Sequence, residues 1–370
     1  MVTTTSAAPA RSLSNSERAP TLRQFGRWRP VRYLSSGDFS EVYFAQHTVT
    51  GRVGALKVLS PSLVTSLGAK QRFLVDAHGA SMTQHESLVT VYDGDITPDG
   101  TAFLVMQFLE GTSLAERLRE GPLDLLSTCR VGAQIAGALG AAHTMGLPHG
   151  DVKPTNILLL LSRGRGGAPM VKVLGFGNGA LIRAALSSRD QDLRLGTPTY
   201  MAPEQWLLHP APSPHADIYA LGVLLYRCLA GHAPWSATSS EQWTEVHVRA
   251  PVPELPPSCH APTEVRALLR GMLAKRKEDR PSAEAVARTL GAVIGASTPE
   301  RALGVGAAVA TVEETAVITR QGDAEATVRL ARPRRRSTQR SSPRIWLPWA
   351  VLALVAVVLV GMRIALAHAG

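Results

Sequence analysis

Residues 149–159 read HGDVKPTNILL and carry the most informative pattern of the chain. It places an aspartate, a lysine and an asparagine (Asp151, Lys153 and Asn156) within six positions and then continues into an apolar strand. A carboxylate can orient a hydroxyl group, a lysine can neutralise a phosphate, and an amide oxygen can ligate magnesium. Because this spacing is improbable by chance, the stretch predicts a loop that carries phosphate chemistry.

Two segments nearer the N-terminus suit the same chemistry. Residues 33–43, YLSSGDFSEVY, indicate a strand, a turn of small residues and a second strand, and small residues let backbone amides approach phosphates closely. Residues 54–59, GALKVL, indicate an apolar strand with Lys57 at its centre. A buried lysine needs an anionic partner, but the same pattern suits a lysine at the edge of a sheet, so both interpretations of Lys57 stay open at this point.

Along residues 30–294 the sequence resembles the protein kinase family. Residues 149–159 are similar to the catalytic loop of that family, residues 196–204 (GTPTYMAPE) to the end of its activation segment, and residues 215–222 (HADIYALG) to the start of its large central helix. The resemblance also implies a buried ion pair between Glu204 and Arg280. The positions of Lys153 and Thr197 favour the serine/threonine branch of the family.

The resemblance implies an α+β fold of two lobes, with a β-rich small lobe to about Leu104 and a helical large lobe from about Gly111. Residues 106–109 (MQFL) would form the hinge, whose backbone would bind the adenine of ATP. The positions that match the family's nucleotide contacts are Leu34, Gly37, Val42, Ala55, Lys57, Asp76, Met106, Gln107, Leu109, Asn156 and Leu158.

The resemblance further assigns roles to the polar residues. Asp151 would orient the hydroxyl group of a protein substrate, Lys153 would neutralise the γ-phosphate of ATP, and Lys57 would hold the α- and β-phosphates. Asn156 would carry a magnesium or manganese ion. The remaining assignments are a substrate-facing residue, Thr197, and three structural residues, Glu204, Asp217 and Arg280.

The metal-binding motif departs from the family pattern. Residues 173–177 read VLGFG, so Gly175 stands where the family has the aspartate that holds magnesium against the nucleotide. Glycine offers no ligand, and the sequence has no acidic residue within ten positions of Gly175. Stabilisation of phosphoryl charge is the main contribution of this fold to the reaction, so the loss would be worth several kcal/mol, at roughly tenfold in rate per 1.4 kcal/mol.

Three further departures accompany Gly175. The phosphate-covering loop has Ser35 and Ser40 where the family usually has glycine. Asp76 replaces a glutamate and is one methylene shorter, so a contact with Lys57 would need a shifted helix or a bridging water. Gly150 replaces the arginine that normally pairs with an activation-loop phosphate.

Two functions follow from these observations. In the first, the domain is a catalytically impaired docking module, a pseudokinase that binds ATP and a partner kinase or substrate. In the alternative, it is an active or weakly active serine/threonine kinase that transfers the γ-phosphate of ATP to protein hydroxyl groups, with weakened binding of magnesium or manganese. Metal-dependent phosphate transfer distinguishes them.

The remaining segments predict a membrane anchor. We expect a leader over 1–22, the kinase-like domain over 25–294, a linker over 295–344, a transmembrane helix over 345–362 and a short external tail over 363–370. Residues 345–362, IWLPWAVLALVAVVLVGM, carry no charge and would extend about 27 Å as a helix, enough to cross a bilayer core.

Charge sets the expected orientation of the anchor. Seven arginines in residues 329–344 account for seven of the ten net positive charges of the chain. A basic flank stays on the cytoplasmic side and contacts anionic lipid. The run lacks interleaved aromatic residues, so no nucleic-acid partner is expected.

Three widely spaced cysteines without a CxxC pair fit a reducing compartment. We therefore expect a single-pass protein of the inner or plasma membrane with a cytoplasmic domain.

Overall fold

The computed structural model describes residues 23–62, 64–160, 169–187, 197–207 and 212–297. Most of the predicted domain falls within these ranges. The predicted leader, nearly all of the linker, the predicted span 345–362 and the tail lie outside them. In the part of the chain that is described, no helix combines the length and the apolar character needed to cross a membrane. The span at 345–362 therefore stays a prediction.

The small lobe is an antiparallel sheet with one helix packed on it. The strands lie side by side in the order β1-β2-β3-β5-β4. Their bounds, and those of the helix α1, are β1 (Trp28–Ser36), β2 (Ser40–His47), β3 (Val53–Leu59), α1 (Leu67–Met82), β4 (Val91–Ile96) and β5 (Ala102–Met106). Lys57 on β3 pairs with Val42 on one side and Leu104 on the other. Lys57 thus lies in the interior of the sheet, which excludes the interpretation of an edge residue.

Strand β5 shows why the small lobe needs an uninterrupted apolar run. Side chains alternate between the two faces of a strand. Ala102 and Leu104 pack in the cluster that contains Phe73 of α1, whereas Phe103 and Val105 pack with Trp28 on the other face. Because both faces of β5 are covered, each of these four positions is apolar.

The large lobe consists mainly of helices around one central helix, α6. Its elements are β6 (Gly111–Ser113), α2 (Leu114–Arg117), α3 (Leu125–Thr144), β7 (Ile157–Leu160), β8 (Met170–Val173), α4 (Asn178–Ser187), α5 (Pro203–Leu207), α6 (Pro214–Ala230), α7 (Ser240–Val248), α8 (Thr263–Met272) and α9 (Ala283–Ser297). Helix α6 is buried on nearly every face. The Ser213 side chain accepts a hydrogen bond from Ala216 N at its start, and Gly231 ends it. The predicted β-rich and helical lobes are confirmed.

A second, three-stranded sheet positions the phosphate-chemistry loop. Strand β7 follows the loop directly and pairs antiparallel with β8. Leu174, just after β8, donates a backbone hydrogen bond of 2.8 Å to the carbonyl of Asn156. The pairing brings the loop of residues 149–156 beside residues 174–177. Gly175 therefore lies close to Asp151 and Asn156.

Helix α4 was not anticipated from the sequence. It begins three residues after Gly175 and packs against α1, where Leu181 and Ile182 join the buried cluster around Phe73. Its apolar face becomes recognisable only when α1 is known to cover it. The helix therefore fills the space between α1 and the loop that carries Asp151.

Candidate active site

A cleft of about 400 Å³ lies between the sheet of the small lobe and the loop of the large lobe. This volume lies within the range of small-molecule sites. Its wall contains Leu34, Gly37, Val42, Ala55, Lys57, Met106, Gln107, Leu109, Asn156 and Leu158, together with Asp38, Lys153, Gly175 and Asn178. All the predicted nucleotide contacts except Asp76 therefore line a single cleft.

Lys57 projects from β3 into this cleft and binds a neutral partner. Its Nζ donates a hydrogen bond of 2.6 Å to the amide oxygen of Asn178. Burial lowers the pKa of Lys57 to about 8, although the nearby carboxylate of Asp151 acts in the opposite direction. An anion that entered the cleft would therefore meet a lysine that gains stabilisation by pairing with it.

Asp76 lies outside the cleft lining, in contrast to the expectation from the sequence. Its Oδ1 lies 2.7 Å from Nε of Arg72, one helical turn earlier on α1. Asp76 does not reach Lys57 because of the position of α4, whose first residue, Asn178, accepts the hydrogen bond of Lys57 instead. The shorter side chain of Asp76 and the inserted helix together separate the two charges.

Asp151 is surrounded by hydrogen-bond donors. Its Oδ2 accepts one bond from Nδ2 of Asn156 at 2.9 Å and another from Nδ2 of Asn178 at 3.0 Å. Its Oδ1 lies 3.1 Å from Nζ of Lys153. Asn156 also donates to the backbone carbonyl of Asp151 at 2.7 Å. These contacts hold the carboxylate, the lysine and the amide in one fixed group.

The backbone of the loop is anchored by Asp217, at the start of α6. Its Oδ2 accepts a hydrogen bond from the amide of His149 at 2.7 Å, and its Oδ1 accepts one from Gly150 at 2.8 Å. His143 on α3 lies 2.8 Å from the same carboxylate. Asp217 is almost fully buried, so these bonds satisfy a charge that would otherwise be costly in the core.

The imidazole of His149 connects the loop to the segment after β8. Nδ1 accepts a hydrogen bond from the amide of Asp151 at 3.1 Å, and Nε2 lies 2.9 Å from the carbonyl oxygen of Leu174. Burial lowers the pKa of His149, so the ring is neutral and Nε2 donates to that carbonyl. This link fixes Gly175 relative to Asp151.

Asp38 reaches across the cleft from the loop between β1 and β2. Its Oδ2 lies 2.7 Å from Nζ of Lys153. Burial disfavours the charged form of Lys153, but Asp151 and Asp38 outweigh burial and raise the pKa of Lys153. This contact was not predicted from the sequence, where the available signal was an acidic residue within a loop of small residues.

Magnesium does not fit this set of residues. Gly175 contributes no side chain, Asp151 is engaged by two amides and a lysine, and Asp38 is paired with Lys153. Within residues 23–297, as far as they are described, no group of three or more acidic, histidine or cysteine side chains could hold a metal ion. The amide oxygen of Asn156 alone is a weak basis for a cation that prefers several oxygen ligands.

Glycines allow α4 to approach its neighbours closely. A Cβ at Gly177, where φ is +90°, would overlap the backbone carbonyl of Phe73 on α1. A Cβ at Gly150 would lie 2.8 Å from the Cα of Gly179, in the first turn of α4. The arginine that Gly150 replaces would therefore collide with α4 in this arrangement.

The predicted structural pair and the predicted substrate-facing residue lie in the large lobe. Arg280 NH1 and NH2 donate to the two carboxylate oxygens of Glu204 at 2.7 and 2.8 Å. The Arg280 side chain is fully buried and also donates to three backbone carbonyls, those of Ala274, His215 and Lys275. Thr197 lines a small cavity together with Asp151 and Lys153.

Comparison with known proteins identifies relatives among the protein kinases. The protein kinase domain family model matches residues 28–289. Pkn1 of Myxococcus xanthus, a serine/threonine-protein kinase, is 38% identical over 258 residues, which cover 69% of this chain and 36% of that protein. PknA of Mycobacterium tuberculosis, also a serine/threonine-protein kinase, is 34% identical over 272 residues, which cover 71% of this chain and 61% of that protein.

A solved structure shows the same fold. The kinase domain of PknI from Mycobacterium tuberculosis superposes with a TM-score of 0.56 at 23% identity, covering 75% of this chain and 99% of that one. The chain spans between about a third and three fifths of the two curated relatives described above. On the family match, the shared motifs and the two-lobed architecture, the chain belongs to the protein kinase family, and both curated relatives named above are serine/threonine kinases.

Proposed function

We propose that this protein is a membrane-anchored pseudokinase, which binds a nucleotide in its cleft and acts as a docking module for a partner kinase or substrate protein. The observation that carries the proposal is the state of the carboxylates around the cleft. Position 175 has none, Asp151 is engaged by Asn156, Asn178 and Lys153, and Asp38 is paired with Lys153. Phosphoryl transfer in this family depends on metal ions that such carboxylates hold.

Nucleotide binding is supported by the cleft itself. The apolar residues Leu34, Val42, Ala55 and Leu158 line it, and so do residues 106–109. Lys57, with a neutral hydrogen-bond partner, supplies a positive charge for the phosphates. We assign ATP or a related nucleotide as the ligand. Magnesium or manganese, weakly bound, would be needed only in the alternative function described below.

The membrane anchor rests on sequence. The uncharged run 345–362 would span the bilayer, and the arginines of residues 329–344 would hold its start at the cytoplasmic face next to anionic lipid. The domain would then work at the cytoplasmic surface of the membrane. Recovery of the full chain in the soluble fraction after cell lysis, without detergent, would contradict this part of the proposal.

An alternative function is favoured by one specific observation. Asp151, Lys153 and Asn156 are held together by direct contacts, and Lys57 joins them through Asn178. In an active enzyme Asp151 would orient the substrate hydroxyl, Lys153 would neutralise the γ-phosphate and Thr197 would face the substrate. The chain would then be a serine/threonine kinase of low activity.

Transfer of labelled phosphate separates the two functions. The purified full chain is incubated with labelled ATP and a generic protein acceptor, with magnesium and with manganese, and Asp151→Ala defines the background. The pseudokinase proposal predicts equal incorporation by the parent and by Asp151→Ala. Incorporation by the parent that disappears in Asp151→Ala would establish the alternative function.

A further inference from the structure

The carboxylate of Asp38 occupies the phosphate-binding end of the cleft. It extends from the tip of the β1–β2 loop to Lys153, with 2.7 Å between Oδ2 and Nζ. Lys153 is the residue assigned to the terminal phosphate of a bound nucleoside triphosphate under the proposed function. The Asp38 side chain is 45% exposed, whereas that of Lys153 is 10% exposed. An acidic group from the small lobe thus covers a largely buried cation of the large lobe.

The two lysines of the cleft differ in how far they are neutralised. Lys57 donates to a neutral amide, that of Asn178. Lys153 contacts two carboxylates, those of Asp38 and Asp151. Asp38, Lys57 and Lys153 are the charged side chains among the described residues of the cleft wall. Attraction for phosphate is therefore concentrated at Lys57, and the region around Lys153 already holds as much negative charge as a phosphate group would bring.

We propose that the cleft selects nucleoside diphosphates over nucleoside triphosphates, and that Asp38 is the residue that determines this preference. Two phosphates can pair with Lys57 while Asp38 stays on Lys153. A third phosphate must displace Asp38 or lie beside it, and like charges at short distance repel. No carboxylate at position 175 holds a metal ion to offset the added charge. The inference rests on the proposed nucleotide binding and adds the class of nucleotide.

Competition binding tests the preference directly. Dissociation constants of ADP, ATP and adenosine are measured for the full chain by displacement of a fluorescent adenine nucleotide, once with EDTA and once with magnesium. The same measurements are made on Asp38→Asn, which keeps the shape of the side chain and removes its charge. The matched control is Asp95→Asn, an exposed aspartate of β4 that lies outside the cleft wall. Melting curves establish that each variant is folded.

The expected result is that ADP binds the parent at least about tenfold more tightly than ATP in both buffers. Asp38→Asn should then strengthen ATP binding about tenfold and change ADP binding by about twofold or less, while Asp95→Asn resembles the parent. Equal or tighter binding of ATP by the parent would overturn the inference, and so would an unchanged ratio in Asp38→Asn, with nucleotide binding itself intact. If neither nucleotide nor adenosine binds the parent or Asp38→Asn, the proposed function fails together with the inference.

Discussion

Asn178 binds both Lys57 and Asp151. Its amide oxygen accepts a hydrogen bond of 2.6 Å from the ammonium group of Lys57, and its NH2 group donates one of 3.0 Å to Asp151. One neutral side chain thereby bridges the small lobe and the loop of residues 149–156. It lies three residues after Gly175, beside the position that lacks the metal-binding aspartate. A neutral amide thus lies between Lys57 and Asp151, where the family resemblance led us to expect a carboxylate and a metal ion.

A carboxylate at position 178 should create a metal site. In Asn178→Asp the new oxygen atoms would face Oδ2 of Asp151 and lie near Asn156, an arrangement that a divalent cation stabilises. At a magnesium concentration ten times the dissociation constant, binding would add about 1.4 kcal/mol, or roughly 2–4 °C in melting temperature. The parent and Asn178→Ala should melt at the same temperature with magnesium and with EDTA. Equal changes of melting temperature with magnesium in all three proteins would contradict the position of residue 178 beside Asp151 and Asn156.

The affinity for nucleotide should fall at alkaline pH. The pKa of Lys57 is lowered to about 8 by burial, so the free cleft loses this charge as the pH rises from 7 to 9. Because the phosphates bind the protonated form, the dissociation constant should increase about tenfold over this interval. Titration calorimetry at several pH values measures it. Lys57→Arg keeps its charge throughout and should show a nearly flat profile, and an equally steep profile in that variant would assign the effect to another group.

The sequence predicted most of the large-scale fold because its signals are local. The loop at 149–159 and the run GALKVL at 54–59, which lies in β3, each have a pattern that only a few structures satisfy, and both lie as predicted. The position of Asp76 depends instead on which element reaches Lys57 first. Competition between Asp76 on α1 and Asn178 on α4 is a tertiary effect, and neither local pattern contains it.

The buried ion pair should dominate the stability of the large lobe. Replacement in Arg280→Met removes the partner of Glu204 and leaves three backbone carbonyls without their donor. We expect a loss of about 3–5 kcal/mol in the free energy of unfolding, measured by urea denaturation. Arg249→Met breaks an exposed pair with Glu245 on α7 and should cost less than about 1 kcal/mol. Similar losses in both variants would show that Arg280 has no special role.

The close approach of α4 to α1 gives a further prediction. In Gly177→Ala the added methyl group would overlap the carbonyl of Phe73, and alanine disfavours the φ of +90° at this position. The variant should lose about 1–3 kcal/mol of stability, and hydrogen exchange in α1 and α4 should accelerate. Gly291→Ala on α9 meets no atom within 4 Å and should be neutral or stabilise the protein by up to about 1 kcal/mol. Unchanged exchange in Gly177→Ala would contradict the described packing.

The candidate site was only partly predictable, for a related reason. Ten of the eleven predicted nucleotide contacts share one cleft, since each comes from a motif whose spacing fixes its place on a strand or loop. Asp38 and Asn178 were not identified as partners of Lys153 and Lys57. Their roles arise from contacts across more than a hundred residues of sequence, and a single sequence carries no signal for such pairs.

Under the proposed function, the cleft lacks metal-assisted phosphate transfer because position 175 is glycine. The most direct measurement compares labelled phosphate incorporation by the full chain and by Gly175→Asp, with magnesium and with manganese, against Asp151→Ala as the background. The new Cβ would lie 3.0 Å from the side chain of Asn178 and 3.1 Å from that of Asn156, so both amides must shift by a few tenths of an ångström. The φ of +93° at this position adds some loss of stability. We expect background incorporation by the parent and a metal-dependent gain in Gly175→Asp. Metal-dependent incorporation by the parent that vanishes in Asp151→Ala would contradict it.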